Sequence, residues 1–155
     1  MGVVVRSAIA TLGVSLRLEG KRIVFTNGCF DVLHRGHLEY LAAARALGDV
    51  LVLGLNSDES VRRLKGPDRP VTAEGDRAFV MSSLRMVDHV CVFTEDTPFE
   101  MIKELQPSVL VKGGDWPVEK IIGVEIVRDS GGTVQTIPFV TGYSTTSILE
   151  RIKSL

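Results

Sequence analysis

The chain has 155 residues, 45% of them hydrophobic, and a formal net charge of −1 at pH 7. This length is typical of one domain with a substantial core, and the charge disfavours a general nucleic-acid binder, which would carry a basic excess. No apolar run approaches the roughly 20 residues of a membrane span, and the start of the chain lacks a convincing signal-peptide cleavage site, so we expect one cytoplasmic domain over residues 1–155.

A weak amphipathic pattern predicts a leading helix over residues 1–20, and short apolar runs then alternate with helical patterns. The runs predict strands at 22–26, 50–55, 89–93, 108–112 and 133–137, and the segments between them predict helices at about 36–47, 58–63, 73–85, 97–105 and 117–129. A last helix follows Ser147. This alternation predicts a Rossmann-like, three-layer α/β/α core over residues 21–155, with a parallel sheet of about five strands.

The segment from Phe25 to His37 spans the predicted junction between the first of these strands and the next helix. The first turn of a helix presents unpaired N–H groups and the positive end of its dipole, which favour a phosphate. Gly28 and Gly36 remove side-chain bulk where a ligand could approach the backbone. His34 and His37 are three residues apart, so they share one face of the helix and could donate hydrogen bonds to that phosphate.

Two other interpretations of the histidine pair remain open at this point. One histidine could cap the helix while the other is half-buried. Alternatively, Cys29, Asp31 and both histidines could bind zinc, although four ligands would be crowded in so short a segment. Cys29 and Cys91 are the only cysteines, and without a C-x-x-C spacing we expect both to be reduced.

The loop over residues 64–70 is polar and irregular, and it carries Lys65 and Arg69. It is either a solvated turn or a loop that closes over a triphosphate and neutralises its charge. Thr72 is predicted to cap the following helix. Arg77 lies in the apolar stripe of that helix, which indicates a buried or phosphate-facing partner, with a surface salt bridge as the alternative.

The predicted strand 108–112 delivers a Lys-Gly-Gly-Asp-Trp sequence to the carboxyl end of the sheet, where open α/β sheets bind their ligands. Gly113 and Gly114 leave the backbone accessible, and Lys112 and Asp115 supply opposite charges. The alternative is a polar turn with Trp116 at the surface.

Hydroxyl residues at 144–147 precede the last predicted helix. Ser147 and Glu150 have the spacing of a capping box, so capping explains part of this pattern. Four hydroxyl residues exceed what one cap needs, and the surplus could bind the outer phosphates of a nucleotide at a second helix N-terminus.

Four motifs follow one another along the chain: F-D-x-x-H-x-G-H at 30–37, a lysine-containing loop at 64–70, G-G-D-W at 113–116 and G-x-S-T-T at 142–146. This order resembles the cytidylyltransferase-like nucleotidyltransferases over nearly the whole chain. The sequences at 25–31, 56–58, 63–71, 95–98 and 110–116 resemble the branch that adenylylates D-glycero-D-manno-heptose 1-phosphate. Phe139 stands where cytidylyltransferases of the family place an arginine, which also favours that branch.

The resemblance implies transfer of AMP from ATP, with Mg²⁺, to a heptose 1-phosphate that a separate heptose kinase supplies, and the family often forms homodimers. It implies catalytic roles for His34, His37, Lys65 and Lys112. It further implies a nucleotide site, with Asp115 also a candidate Mg²⁺ ligand, formed by Thr26, Asn27, Gly28, Phe30, Asp31, Gly36, Arg69, Arg77, Gly113, Asp115, Ser144, Thr145 and Thr146. Two alternatives remain: a nucleotidyltransferase with another acceptor, such as a cytidylyltransferase acting on glycerol 3-phosphate or an enzyme acting on phosphopantetheine, and a non-catalytic nucleotide-binding module.

Overall fold

A computed structural model describes residues 2–114 and 116–155 and contains one six-stranded sheet. All neighbouring strands pair in parallel, and the strand order is β1-β4-β3-β2-β5-β6. The strands are β1 (Gly2–Val4), β2 (Ile23–Gly28), β3 (Val50–Asn56), β4 (His89–Phe93), β5 (Val109–Gly113) and β6 (Thr133–Ile137). The predicted Rossmann-like, three-layer α/β/α architecture is confirmed, with one strand more than predicted.

The described residues contain seven α-helices. They are α1 (Ile9–Leu18), α2 (Arg35–Arg45), α3 (Asp58–Lys65), α4 (Glu74–Ser82), α5 (Phe99–Leu105), α6 (Val124–Asp129) and α7 (Thr145–Lys153). In the part of the chain that the structure describes, none of them is long and apolar enough to cross a membrane.

The core lies on both faces of the sheet because successive residues of a strand point to opposite sides. Phe25 and Val52 pack on one face with residues of α1, α5 and α6. Val24 and Leu51, one residue earlier on each strand, pack on the other face with residues of α2 and α4. Burial on both faces explains why β3 is a continuous apolar run, as expected for a parallel strand.

The prediction of a leading helix over residues 1–20 was wrong for its first residues, because β1 precedes α1. β1 is an edge strand in which Gly2 pairs with His89 and Val4 pairs with Cys91. A strand of three residues has too little periodicity to be recognised by itself, and the β4 residues that complete it are distant in sequence.

Two predicted helix features also differ from the structure. Thr72 does not cap α4, whose N-terminal flanking residue is Ala73. The helix predicted at 117–129 is a short 3-10 turn followed by α6, and Gly123 before α6 adopts a left-handed φ of 89°. A Cβ on Gly123 would lie 2.7 Å from the Ile102 side chain, so a glycine is required at this interruption.

The strand order places a topological switch between β2 and β5. From β2 the chain adds β3 and β4 on one side, and it then crosses to the other side for β5 and β6. Loops that leave the carboxyl ends of β2 and β5 therefore diverge to opposite faces and open a crevice, which is where open α/β sheets bind ligands.

Candidate active site

A cavity of about 690 Å³ opens at this switch point. Fourteen of the predicted site residues border it, namely Asn27, Gly28, Phe30, Asp31, His34, Gly36, His37, Lys65, Arg69, Lys112, Gly113, Ser144, Thr145 and Thr146. The structure thus brings four separate sequence motifs to one cleft. Thr26 and Arg77 do not border the cleft, and Asp115, the predicted nucleotide contact and Mg²⁺ ligand, lies outside the described residues.

The two histidines stack on each other at the start of α2. Their ring centroids are 3.8 Å apart with an interplanar angle of 22°. His34 occupies the N-cap position, but its side chain makes no capping hydrogen bond, so the capping interpretation is wrong. A Cβ on Gly36 would lie 3.1 Å from His34 Nδ1 and 3.2 Å from the Tyr143 Cβ, so Gly36 leaves room for this arrangement.

Both imidazoles are held as uncharged donors. The Nδ1 atoms of His34 and His37 are buried and have no hydrogen-bond partner among the described residues. Burial lowers the pKa of His34, and burial together with the nearby His34 and Lys65 lowers the pKa of His37 to about 4. Each ring is therefore neutral at pH 7 and keeps one N–H for a ligand.

We expect the His37 imidazole of the free protein to titrate near pH 4 instead of near its ordinary pKa of 6.5. Because the unfolded chain binds this proton more readily, the contribution of His37 to the free energy of unfolding falls as the pH drops from about 6.5 towards 4. Histidine ring resonances followed by NMR across this range measure the pKa directly, and His37→Gln assigns the signal. A His37 midpoint at or above pH 6 would contradict the expectation.

The loop that follows α3 is fastened by Asp31. The buried Asp31 carboxylate accepts hydrogen bonds from Arg69 Nε at 2.7 Å, from the Val71 amide at 2.8 Å and from the Thr72 amide at 2.9 Å. Burial alone raises the pKa of Asp31, but the Thr72 and Val71 amides and Arg69 outweigh it, so the pKa lies below its ordinary value. With its oxygens engaged in this way, Asp31 positions the loop, and its role as a nucleotide contact stays a prediction.

Arg69 keeps one nitrogen available for a ligand. Its Nε is bound to Asp31, while one terminal nitrogen is buried without a partner among the described residues. A buried donor without a partner is costly, so it marks a place where a ligand oxygen would complete the hydrogen bonding. Lys65, the last residue of α3, adds a second cation on the same side of the cleft.

Arg77 supports the site without bordering the cleft. It is only 2% exposed, and its guanidinium donates to the Thr72 carbonyl at 2.9 Å, the Cys29 carbonyl at 2.6 Å and Asp58 Oδ1 at 2.8 Å. All three guanidinium nitrogens are thus engaged by protein. The predicted nucleotide contact and the alternative of a surface salt bridge are both wrong, whereas the expectation of a buried partner is confirmed.

The zinc alternative requires Cys29, Asp31, His34 and His37 to converge. Within residues 2–114 and 116–155, no three or more His, Cys, Asp or Glu side chains form a group that could hold a metal ion. The Asp31 carboxylate is occupied by the 69–72 loop instead.

The β5 side of the cleft carries Lys112 at the end of the strand. Its ammonium lies 3.5 Å from Asn27 Oδ1 across the switch point, and burial lowers its pKa. The glycines after Lys112 bring the backbone to the cleft, and Gly114 adopts a left-handed φ of 96°. Trp116 is 53% exposed, as the alternative of a turn with a surface tryptophan expects, and it also borders the cleft.

The hydroxyl residues before α7 divide into structural and available groups. Ser144 Oγ accepts a hydrogen bond from the Ser147 amide at 3.0 Å, so Ser144 is the cap, in place of the predicted box at Ser147. Thr145 Oγ1 donates to the Val32 carbonyl at 3.2 Å and ties α7 to the segment before α2. Thr146 borders the cleft, and its position in the first turn of α7 suits an anion.

Several residues of the cleft were not predicted from the sequence. Tyr40 borders it and shares a 2.5 Å hydrogen bond with the buried Thr26, so Thr26 supports the site through Tyr40. Phe139 and Tyr143 also border it, and Tyr143 stacks near His34 with ring centroids 6.3 Å apart. Their position after β6 was the available signal, since the carboxyl ends of parallel strands lie at one edge of the sheet.

Comparison with known proteins gives a consistent result. The cytidylyltransferase-like family model matches residues 25–151. The chain is 53% identical over 147 residues to the bifunctional protein HldE of Trichlorobacter lovleyi, covering 95% of this chain and 30% of that protein. It is 57% identical over 136 residues to the bifunctional protein HldE of Syntrophotalea carbinolica, covering 88% and 28%. The chain thus spans less than a third of the length of these relatives.

Two solved structures share the fold. The lipopolysaccharide core biosynthesis protein from Thermoplasma volcanium is 30% identical, with a TM-score of 0.63 over 81% of this chain and 100% of that one. Pantothenate synthetase from Thermus thermophilus is 20% identical, with a TM-score of 0.55 over 90% of this chain and 62% of that one. The similarity to pantothenate synthetase indicates a shared fold and nothing about function.

Proposed function

The chain belongs to the cytidylyltransferase-like family, and we propose that it transfers AMP from ATP to D-glycero-D-manno-heptose 1-phosphate, forming ADP-heptose and pyrophosphate. The observation that carries this proposal is the convergence in one cleft of polar side chains with nitrogens that lack a protein partner in the described part of the chain. The buried Nδ1 atoms of His34 and His37 and a buried nitrogen of Arg69 lack partners among the described residues, and Lys65 borders the same cavity. A triphosphate supplies the acceptor oxygens and negative charge that such a site needs.

The proposed reaction is an in-line displacement at the α-phosphorus of ATP. An oxygen of the sugar phosphate forms the new P–O bond, the bond to the β-phosphate oxygen breaks, and its electron pair leaves with pyrophosphate. The attacking phosphate oxygen is already anionic, so no protein nucleophile or general base is required. Catalysis consists mainly of positioning the two substrates and stabilising the charge that shifts between the phosphates.

Each group has a role that follows from its place in the cleft. The neutral imidazoles of His34 and His37 donate to the triphosphate, and Lys65 and Arg69 neutralise it from the α3 side. The first turn of α7, including Thr146, holds the leaving pyrophosphate. Lys112, across the switch point, attracts the phosphate of the acceptor, and its lowered pKa reflects a buried ammonium that lacks a counter-ion among the described residues.

Mg²⁺ is proposed to enter as part of the MgATP substrate. In sites of this kind the ion is held by one or two carboxylates together with substrate phosphates and water, so no dedicated cage of protein ligands is needed. Asp115, in the segment between β5 and the 3-10 turn, remains the candidate protein ligand.

The sugar acceptor is proposed from two likenesses. The motifs at 25–31, 63–71 and 110–116 resemble the heptose branch of the family. A solved structure that is 30% identical is described as a lipopolysaccharide core biosynthesis protein. We propose that a kinase that phosphorylates the sugar at its anomeric position serves to supply the acceptor, and that the reaction occurs in the cytoplasm, where ATP is available.

We expect pyrophosphate release with MgATP and heptose 1-phosphate only, in a panel that crosses ATP, CTP and GTP with heptose 1-phosphate, glycerol 3-phosphate and phosphopantetheine. A coupled pyrophosphate assay measures the rates, and the same assay with His37→Ala, purified identically, controls for contaminating enzymes. Release with a different pair would replace the substrates of the proposal. If the protein bound ATP but released no pyrophosphate with any pair of substrates, the non-catalytic nucleotide-binding module would be favoured.

A further inference from the structure

Polar groups line both sides of the cleft, whereas the large exposed apolar side chains are concentrated on one of them. His34, His37, Lys65 and Arg69 lie on the segments that follow β2 and β3. On the other side, β5 carries Lys112 and the hydroxyl residues 144–146 follow β6. The segments that follow β5 and β6 also contribute large apolar side chains that stay exposed, namely Trp116 at 53%, Ile122 at 45% and Phe139 at 71%. Exposed apolar groups that line a cavity are surfaces for a ligand.

Phe139 is the member of this set whose position is most clearly defined by its contacts. It follows β6, and the Gly114 amide donates to the Ile137 carbonyl at 2.9 Å, so the β5 and β6 ends are joined beside it. A Cβ on Gly113 would lie 2.8 Å from Phe139 Cε1, and one on Gly114 would lie 2.7 Å from Phe139 Cε2. The outer part of the ring therefore rests on a backbone that carries no side chains, while most of the residue remains accessible.

The proposed substrates contain one group that suits this surface. Their phosphates and the hydroxyl-rich sugar require charged or hydrogen-bonding partners, whereas the nucleobase has a planar π-face that stacks on aromatic side chains. With the triphosphate between the cationic groups and the first turn of α7, the base of the same nucleotide is the part left to contact the exposed apolar side chains of this cleft.

We propose that Phe139 is the stacking surface for the nucleobase, held in place against Gly113 and Gly114. The assignment rests on the proposed function in that the ligand is a nucleoside triphosphate. It gives the glycine pair a role beyond backbone access, because any side chain there would displace the ring.

The test compares binding of ATP with binding of tripolyphosphate, which has the same phosphates and no base. Phe139→Ala is expected to weaken ATP binding roughly 5- to 150-fold, the range for loss of one aromatic–base stack. Its affinity for tripolyphosphate stays within about twofold, and Phe139→Tyr, which keeps the ring, retains ATP affinity within about threefold. Phe79→Ala is the matched control, since Phe79 is 72% exposed and lies on α4 away from the cleft.

Isothermal titration calorimetry on the whole chain supplies the dissociation constants, and thermal unfolding verifies that each variant folds. Should Phe139→Ala fail to fold, Phe139→Leu takes its place. Equal losses for ATP and tripolyphosphate, or unchanged ATP affinity, would overturn the proposal, as would a rise confined to the KM of the sugar phosphate.

The outcomes separate this inference from the proposed function. Wild-type protein that binds ATP through Phe139 but releases no pyrophosphate refutes the function and supports the base subsite. An enzyme that releases pyrophosphate, but whose ATP affinity is unchanged in Phe139→Ala, supports the proposed function and refutes the base subsite. Failure of the wild type to bind any nucleoside triphosphate overturns both.

Discussion

Replacement of His37 by alanine is expected to lower kcat for pyrophosphate release roughly 10²- to 10³-fold, the usual loss when one pre-aimed donor is removed. His37 is held between the His34 ring, 3.8 Å away, and the Phe30 ring, 5.3 Å away, measured between ring centroids. A donor fixed in this way stabilises charge that develops in the transition state without reorganising during reaction. The loss should therefore appear mainly in kcat and only weakly in the KM for ATP.

Steady-state kinetics with the wild type, His37→Ala and His37→Gln measures this effect. The glutamine variant retains an N–H donor and should recover part of the rate. His89→Ala is the control, since His89 is a half-buried histidine of β4 that does not border the cleft. Near-normal turnover of His37→Ala would remove His37 from the catalytic groups.

Replacement of Arg77 by leucine is expected to lower the free energy of unfolding by about 3 kcal/mol, the low end of the range for breaking a buried ion pair. The change leaves the carbonyls of Thr72 and Cys29 without their donor and leaves Asp58 without its counter-ion. The low end applies because the Asp58 side chain is 22% exposed and remains partly hydrated. Urea denaturation of wild type and variant measures the difference.

Two further variants test the interpretation of Arg77. Arg77→Lys keeps the charge, but one ammonium cannot reach three acceptors. Its free energy of unfolding should therefore lie between those of the wild type and Arg77→Leu. Arg63→Ala should cost less than about 1 kcal/mol, because the ion pairs of Arg63 with Glu59 and Asp96 are at the surface. If folded Arg77→Leu lost ATP affinity with unchanged stability, Arg77 would be a ligand contact after all.

The Arg77 contacts also link stability to the site. Arg77 binds the carbonyl of Cys29, which is two residues before Asp31, and the carbonyl of Thr72, whose amide binds Asp31. The helix α4 thus holds both segments that carry the proposed phosphate-binding groups. Loss of Arg77 is expected to loosen Asp31 and Arg69 before it unfolds the whole chain.

The sequence was sufficient for most of the α/β framework and for the location of the site. Strand and helix patterns depend on residues a few positions apart, so β2 to β6 and their parallel direction follow from local periodicity and connection length, whereas the order of the strands came from the structure. Parallel strands bring their carboxyl ends to one edge, and this explains why His34, Lys65, Lys112 and Thr146 were predicted together and border one cavity. The edge strand β1 escaped prediction because its three residues are stabilised by β4.

Only the tertiary structure decided which polar side chains are already engaged by protein and which remain available to a ligand. Asp31 and Arg77 are both residue types found in nucleotide sites. The amides of Val71 and Thr72 engage the Asp31 carboxylate, and two carbonyl oxygens and Asp58 engage the Arg77 guanidinium. The sequence singled out Phe139 only as a departure from the arginine of cytidylyltransferases, and its place against Gly113 and Gly114 became visible in the structure. The sequence therefore determined where the cleft forms, because local hydrophobic periodicity fixes the strands and the cleft lies at their carboxyl ends. The use of each polar group depends on partners that only folding brings within hydrogen-bond distance.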